Sequence, residues 1–283
     1  MREKVFVLGA DDPEMRRIRD LVIEAGYLFL GAEKDGVLVH AGNAYEANNA
    51  QEIPNDAEVI FVECCVLGTN LDFIIDHHNP GDPGYGKGPE LYWEASSIGQ
   101  LYKYLDLGVV PDDDRVLAAM DHCFNAAVKG ECPGVLKYRV LDIKTRMIAK
   151  STEFSEDVVR SMIGKHVEMI NQANRTDKYD LVDINGQKVI IIPDTGIGYT
   201  ADYLAAQVAA VIQGVPVIIL SREEEGGPGR YHLCGDTTPE LVISFMEEWA
   251  YGLVRIYGNP ERGYAGGYED VTCEWKKGEA WRK

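Results

Sequence analysis

An acid and two histidines follow a short apolar run. Residues 73–80 read FIIDHHNP, so Asp76, His77 and His78 come directly after the apolar residues. In open α/β sheets, ligands bind beyond the carboxyl ends of the strands, where such a segment would place these side chains. Carboxylate oxygen and imidazole nitrogen together suit manganese, cobalt, iron or zinc better than calcium. The segment therefore indicates a metal site, although a solvated acid beside two surface histidines would give the same pattern.

Further acidic side chains follow other apolar runs in the first half of the chain. They are Asp11, Asp12 and Glu14 after residues 5–8, Glu63 after residues 59–62, and Asp121, which precedes His122 in a helical stretch. Two divalent cations about 3.5–4 Å apart need several carboxylates, commonly including one that bridges them. Each acid taken singly would also fit a solvated position, but together they indicate a two-metal site.

The elements that would position these residues alternate between strands and helices. Continuous apolar runs, which are typical of buried parallel strands, predict strands at residues 5–8, 59–62 and 73–75. Helical periodicity and capping residues predict helices at residues 13–25, 90–105 and 111–128. The carboxyl ends of the strands would thus carry the acids and the histidines.

The second half of the chain has a different pattern. Asn185-Gly186 between two apolar runs predicts a β-hairpin of residues 181–184 and 189–192. Ser155 is a suitable N-cap for a helix that ends near residue 174 and would connect the two halves. Further strands and helices are predicted at residues 203–212, 215–220, 231–234 and 237–251.

The predicted fold class is therefore α/β. A mostly parallel, helix-flanked sheet would occupy a domain of residues 1–150, followed by a helical connector of residues 151–177 and a smaller α/β domain of residues 178–283. No run of about 18 apolar residues and no secretory signal pattern is seen, so the expected location is cytoplasmic and no membrane partner is expected.

Composition restricts the partners. The formal net charge of −18 argues against long nucleic acid, which requires clustered Lys and Arg, but it is equally explained as a solubility feature. Bound cations could still attract a small phosphorylated substrate. The six cysteines include no C-x-x-C pair, so a structural zinc site is not expected. The sequence is compatible with a homodimer.

The Asp76-His77-His78 triplet resembles the signature of the DHH phosphoesterase superfamily. That superfamily includes oligoribonucleases, cyclic-dinucleotide phosphodiesterases, single-strand exonucleases, family II pyrophosphatases and exopolyphosphatases. The helix segment 93–101, WEASSIGQL, is also similar to the family. The resemblance implies a DHH catalytic domain and a C-terminal domain that binds the far end of the substrate. The candidate for that domain's glycine-rich motif is residues 262–268, RGYAGGY, which contains Gly266 and Gly267.

The resemblance also implies roles for the acids and the first histidine. Asp12 and Glu14 would each bind one metal ion, with Asp11 an equal alternative to Asp12. Glu63 would bridge the ions in place of the family's shorter Asp, His77 would bind the second ion, and Asp121 would supply the acid of a later motif.

Two members of the triplet would act on the site and on the substrate. Asp76 would orient the site and belongs to the expected ligand set, while His78 would contact the phosphate and assist the leaving group. The chain departs from the family pattern in having Gly9-Ala10 before the first acids, His122-Cys123 after Asp121, and Tyr268 where a histidine is usual.

The expected activity is hydrolysis of a small phosphodiester, such as a short oligonucleotide or a cyclic dinucleotide, by a metal-activated water. Mn²⁺ is the expected cofactor, with Mg²⁺ or Co²⁺ as alternatives. Arg222, Arg230 and Arg262 would bind phosphate oxygens, because the guanidinium group matches their geometry. The alternatives are a pyrophosphatase or polyphosphatase, and a catalytically degenerate nucleotide-binding protein.

Overall fold

The computed structural model describes residues 2–40, 43–50, 53–54, 56–173, 175, 180–193, 195–196, 200–222, 225 and 227–269. The chain divides into two compact units, Met1–Val140 and Leu141–Lys283, each described here by itself. The division falls within the helix Lys137–Thr152. The predicted boundaries at residues 150 and 178 remain predictions.

The first unit is built on a mostly parallel sheet. Its strands are β1 (Lys4–Leu8), β2 (Leu28–Lys34), β3 (Val37–Leu38), β4 (Asn49–Ala50), β5 (Glu58–Val62) and β6 (Phe73–Ile75). The order is β3-β2-β1-β5-β6, with β4 also paired to β2. The β1–β2, β1–β5 and β5–β6 pairs are parallel, whereas β3 and β4 run antiparallel to β2. The predicted fold class is confirmed.

Helices accompany this sheet. They are α1 (Pro13–Glu24), α2 (Tyr92–Ala95), α3 (Ser97–Leu105) and α4 (Asp112–Lys129), with single 3-10 turns at Ala44–Glu46 and Pro89–Leu91. The next helix, α5 (Lys137–Thr152), contains the division between the two units. The predicted helix over residues 13–25 is confirmed as α1. The sequence analysis did not predict α5.

After their first residues, Lys4 and Glu58, the central strands β1 and β5 are apolar because both of their faces are buried. In β5, Phe61 lies in a core cluster with Val5 and Val7 of β1, and Ile60, which points to the opposite face, is also fully buried. Burying one such side chain contributes about 1.5–3 kcal/mol. This burial fixes the register that brings the carboxyl ends of β1, β5 and β6 to one edge.

The helix predicted over residues 90–105 is broken at Ser96. Its backbone is extended, with φ −62° and ψ 151°, and its hydroxyl accepts a hydrogen bond from Gly99 N at 3.2 Å. A Cβ at Gly99 would collide with the carbonyl oxygen of Trp93, so the two helical pieces meet only with glycine there. The break creates a second helix N-terminus within a stretch that has continuous helical periodicity.

The helix α4 is also distorted. Cys123 has φ −153° and ψ 63°, so the helix contains a kink two residues after Asp121. The prediction of a regular helix over residues 111–128 missed this distortion. Gly130, with φ 82°, ends the helix in the left-handed conformation that favours glycine.

The second unit contains another six-stranded sheet. Its elements are α6 (Glu156–Ala173), β7 (Leu181–Ile184), β8 (Gln187–Ile192), α7 (Ala201–Gln213), β9 (Pro216–Arg222), β10 (Gly229–Gly235), α8 (Pro239–Ser244), β11 (Leu253–Asn259) and β12 (Tyr264–Glu269). The order is β11-β12-β10-β9-β8-β7, antiparallel except for the parallel β8–β9 pair. The predicted hairpin is confirmed as β7–β8, with Asn185 and Gly186 both at positive φ.

The glycine-rich segment of residues 262–268 forms most of a strand rather than a loop. Gly266 and Gly267 lie in β12, between β10 and β11. A Cβ at Gly266 would collide with the phenol of Tyr257 on β11, so the missing side chain makes room for an aromatic ring. Among the described residues, no helix is long and apolar enough to cross a membrane.

We predict that Gly99→Ala destabilises the protein, because its methyl group must displace the backbone of Trp93. Forcing extra atoms into a packed site costs about 1–3 kcal/mol. Gly164→Ala in α6 is the matched control: nothing lies within 4 Å of its added Cβ, and a helical Gly→Ala change stabilises by about 0.4–1 kcal/mol. Thermal unfolding followed by circular dichroism should show opposite shifts, and equal shifts would contradict the prediction.

Candidate metal centre

Four side chains of the first unit converge at the carboxyl edge of its sheet. One ligand atom from each of Glu14, Glu63, His77 and Asp121 lies within 4.8 Å of those of the others. A second, overlapping group adds His78 to Glu63 and His77. Glu63 follows β5 and the two histidines follow β6, while Glu14 is in the first turn of α1 and Asp121 lies in α4. Parallel strands therefore bring together residues that are distant in sequence.

An unusual backbone conformation places Glu63. Its φ is 51°, in the left-handed region, which costs a residue with a side chain about 1–2 kcal/mol. Its N–H donates to Ile75 O at 3.0 Å, and Gly9 N donates to Val62 O at 2.9 Å. A Cβ at Gly9 would collide with the carbonyl oxygen of Glu63, so the chain after β1 can approach only with glycine at this position. Strain of this kind is concentrated at functional sites.

Glu14 is held by the helix that begins after Ser96. Its carboxylate is buried, and Oε1 accepts a hydrogen bond from Ile98 N in the first turn of α3 at 3.0 Å. Burial, followed by repulsion from Asp121 and Glu63, raises the pKa of Glu14 well above its ordinary value. The helix N-terminus offsets part of this cost because its N–H groups favour a negative charge.

The converging atoms lie close together. His77 Nε2 lies 3.0 Å from Asp121 Oδ2 and 3.6 Å from Glu63 Oε1. Nevertheless, His77 Nε2, Glu63 Oε1 and Glu14 Oε2 are buried and have no hydrogen-bond partner among the described residues. The short separations therefore lack the alignment of hydrogen bonds.

The residues present fit a divalent cation. A buried polar atom without a partner costs about 1–3 kcal/mol, and such groups in native proteins commonly mark a ligand, ion or water site. One imidazole and three carboxylates form a mixed nitrogen and oxygen donor set, which suits manganese and similar transition metals. Glu14, Glu63, His77 and Asp121 are therefore the residues that could hold the ion.

Asp76 lies outside both donor groups and organises the turn that carries the histidines. Its Oδ1 accepts from the backbone N–H groups of His77 at 2.7 Å and His78 at 3.0 Å, and contacts His78 Nδ1 at 2.9 Å. Tyr45 donates to Oδ2 at 2.9 Å. Burial raises the pKa of Asp76, but the hydrogen bonds from His78 and Tyr45 outweigh it and lower the pKa overall. Asp76 therefore holds the turn of residues 76–78, and its expected roles in orienting the site and binding metal remain predictions.

The two acids that were alternatives in the sequence are in different environments. Asp11 is exposed and paired with Arg16 at 2.8 Å. Asp12 is the half-buried N-cap of α1, and its Oδ1 accepts from Met15 N at 2.7 Å. Burial, followed by repulsion from Asp121 and Glu63, raises the pKa of Asp12 to about 8. Asp12 thus interacts electrostatically with the centre, although it lies outside both donor groups.

Three residues that were not predicted from the sequence support the site. Tyr45 donates a hydrogen bond to the carboxylate of Asp76. Gln100 donates to the carbonyl oxygen of Asp76 at 2.9 Å and accepts from its N–H at 3.2 Å. His122 Nδ1 lies 2.9 Å from His77 Nδ1. His122 adjoins Asp121 and Gln100 lies in the helix segment noted for its resemblance, which were the available signals. Tyr45 had none, because it follows no motif.

The predicted substrate-binding residues all belong to the second unit. Arg222 lies at the end of β9 and donates to Gly227 O at 3.3 Å, whereas Arg230 is buried in β10 and donates to Tyr257 Oη at 3.0 Å. Arg262 follows β11, and its backbone N–H donates to Asn259 Oδ1 at 3.0 Å. Together with Gly266 and Gly267 in β12, their substrate-binding role remains a prediction.

No protein-family model and no curated protein matches the chain. Among solved structures, RecJ from Thermus thermophilus, in complex with Mn²⁺, has a TM-score of 0.41 at 13% identity, over 95% of this chain and 50% of that one. The pGpG-specific phosphodiesterase PggH from Vibrio cholerae has a TM-score of 0.36 at 10% identity, and the match covers 96% of this chain and 94% of that one. A putative family II inorganic pyrophosphatase from Methanococcus jannaschii has a TM-score of 0.25 at 13% identity, and the match covers 98% of this chain and 91% of that one.

The chain spans half the length of the RecJ chain that it matches. The residues of the site, rather than these distant likenesses, support the function proposed below.

We predict that the metal-free protein loses stability as the pH rises from about 5 to about 8. The pKa of Asp12 rises on folding from 3.8 to about 8, so the folded state binds a proton that the unfolded state does not bind in this window. Its contribution to stability is complete below the unfolded pKa and is lost as the pH approaches the folded pKa. The raised pKa of Glu14 acts in the same direction.

Thermal unfolding in a chelator measures this effect. Mn²⁺ should raise the melting temperature more at about pH 8 than at about pH 5, because the cation competes with these protons and stabilises only the folded state. Asp12→Asn should flatten the pH dependence. A melting temperature of the metal-free wild type that rises between these pH values would contradict the prediction.

Proposed function

We propose that the chain is a divalent-metal-dependent phosphoesterase of the DHH superfamily that hydrolyses a small phosphodiester. The observation that supports this most strongly is the convergence of Glu14, Glu63, His77 and Asp121, whose ligand atoms lie within 4.8 Å of one another. The histidine of this cluster belongs to the Asp76-His77-His78 triplet. Three of these four residues, Glu14, Glu63 and His77, each have a buried atom without a hydrogen-bond partner among the described residues. Acids and imidazole at the carboxyl edge of a parallel sheet form a site suited to cations and phosphates.

The donor residues and His78 would have separate tasks. Glu14, Glu63, His77 and Asp121 would hold the first cation, and Asp12, whose carboxyl group interacts electrostatically with this cluster, would contribute to a second. A bound divalent cation supplies Lewis acidity and lowers the pKa of a bound water to near neutrality. Asp76 holds the ring of His78 through Nδ1, so the other nitrogen, Nε2, is the atom through which His78 would contact a phosphoryl oxygen.

Electrostatics make the cation necessary for binding as well as for chemistry. Without it, the buried carboxylates of Glu14 and Glu63, together with Asp121, would repel an anionic substrate. The net charge of −18 extends this repulsion over the surface and disfavours long polyanions more than small ones. This balance supports a small substrate such as a short oligonucleotide or a cyclic dinucleotide.

We expect Mn²⁺-dependent hydrolysis of bis-p-nitrophenyl phosphate that is abolished by a chelator. His77→Ala and Asp121→Ala should each lower the rate by more than about 100-fold, since even residues that only support a metal ligand contribute about 10–100-fold. Release of p-nitrophenolate measures the rate, and circular dichroism verifies folding. His40→Ala and Asp20→Asn, which change exposed residues, are the matched controls and should retain activity.

Two other outcomes would replace the proposal with its alternatives. Turnover of pyrophosphate without turnover of the diester would identify a pyrophosphatase. Mn²⁺ binding by calorimetry without turnover of either substrate would identify a degenerate binding protein. Unchanged turnover in Asp121→Ala would remove Asp121 from the site.

A further inference from the structure

A chain of contacts runs from a backbone carbonyl through two imidazole rings to the donor cluster. His122 Nε2 lies 2.8 Å from the carbonyl oxygen of Lys87. His122 Nδ1 lies 2.9 Å from His77 Nδ1. The remaining nitrogen of His77, Nε2, faces Asp121 Oδ2 at 3.0 Å and Glu63 Oε1 at 3.6 Å. Each ring nitrogen of the two histidines therefore has a defined neighbour.

The chemistry of these neighbours orders the protons. A carbonyl oxygen can only accept, so His122 Nε2 must carry the hydrogen. In the neutral ring, His122 Nδ1 then has a lone pair and accepts, so the hydrogen between the two rings belongs to His77 Nδ1. His77 Nε2 is left with its lone pair directed at the carboxylates. That lone pair is what a cation requires of an imidazole ligand.

Consecutive residues of α4 contact the two nitrogens of one ring. Asp121 approaches His77 Nε2 and His122 approaches His77 Nδ1. Neighbouring residues of a helix point in directions about 100° apart, so they can reach two sides of a ring that lies between them. The rings of His77 and His122 are also stacked, with centroids 5.2 Å apart and planes 26° apart.

The loop that supplies the carbonyl is packed against the same histidine. Gly84 N donates to Asp76 O at 3.0 Å, and a Cβ at Gly84 would lie 2.6 Å from the Cβ of His77. The glycine therefore allows the loop to lie directly on the turn that bears His77. Lys87, three residues later, presents its carbonyl oxygen to His122 from this anchored loop.

We propose that His122 is a positioning residue that holds His77 in its Nδ1-protonated form and so directs the Nε2 lone pair to a divalent cation. His122 itself is not a ligand in either donor group. The cation part of this inference rests on the proposed function. The proton arrangement of His77 does not, because it follows from contacts within the protein alone.

Three proteins test the inference: the wild type, His122→Asn and His122→Phe. The amide oxygen of Asn stands near the position of the His Nδ1 and can accept from His77, whereas Phe keeps the stacking but offers no acceptor. Long-range ¹H–¹⁵N spectra of the metal-free proteins, at a pH where imidazoles are neutral, report which nitrogen of His77 carries the hydrogen. The His77 signals are assigned by their absence in His77→Ala.

We expect the Nδ1–H form of His77 in the wild type and in His122→Asn, and the Nε2–H form in His122→Phe, because Nε2–H can then donate to the carboxylates. The Mn²⁺ affinity, measured by calorimetry, should fall about 10–100-fold in His122→Phe and stay within a few fold of wild type in His122→Asn. His166→Phe, a histidine of the second unit, should change neither measurement.

Three results would overturn the role of His122. They are an Nε2–H form of His77 in the wild type, an unchanged Nδ1–H form in His122→Phe, and wild-type Mn²⁺ affinity in His122→Phe. If His122→Phe does not fold, the wild-type and His122→Asn spectra still decide the matter. A wild type that binds no cation yet shows the Nδ1–H form would defeat the proposed function and leave the positioning of His77 intact.

Discussion

The burial of several carboxylates within a few ångströms of one another is the constraint on which the first unit depends. Glu14, Glu63 and Asp121 lie together, and their mutual repulsion is added to the cost of removing each charge from water. The fold relieves part of this cost with a backbone N–H group in the first turn of α3. A bound cation would relieve the remaining cost of burial. Such a role would explain why the protein keeps buried polar atoms that lack hydrogen-bond partners.

Most local irregularities of the first unit serve this cluster. Glu63 has a left-handed backbone, Ser96 interrupts a helix so that its successor can contact Glu14, and Cys123 distorts α4 just beyond Asp121. Each departs from regular local structure, and each lies at or beside a residue that contacts this cluster. Real proteins break local rules in this way at functional sites and compensate elsewhere, here through the fully buried strands β1 and β5.

The sequence predicted the framework better than the details of the site. Continuous apolar runs identified β1, β5 and β6, and the placement of acids after them brought Glu14, Glu63 and His77 to one edge. The break at Ser96 was not predicted, because helical periodicity continues across it and the close approach of Gly99 to Trp93 is a contact that only the folded structure shows. Tyr45 and the partner role of His122 depend on tertiary contacts with no local pattern. The short strand β4 and the glycine-containing β12 have no continuous apolar run, and they are defined instead by the strands with which they pair.

The close approach of Gly9 to the carbonyl of Glu63 bears on any attempt to engineer the selectivity of this centre for different ions. Position 9 is not one of the donor residues, yet a methyl group there would push the end of β5 outward and move the carboxylate of Glu63 with it. Libraries that exchange Glu63 for aspartate or histidine should therefore keep residue 9 constant. Otherwise an effect of the displaced strand would be mistaken for an ion preference of the new side chain at position 63.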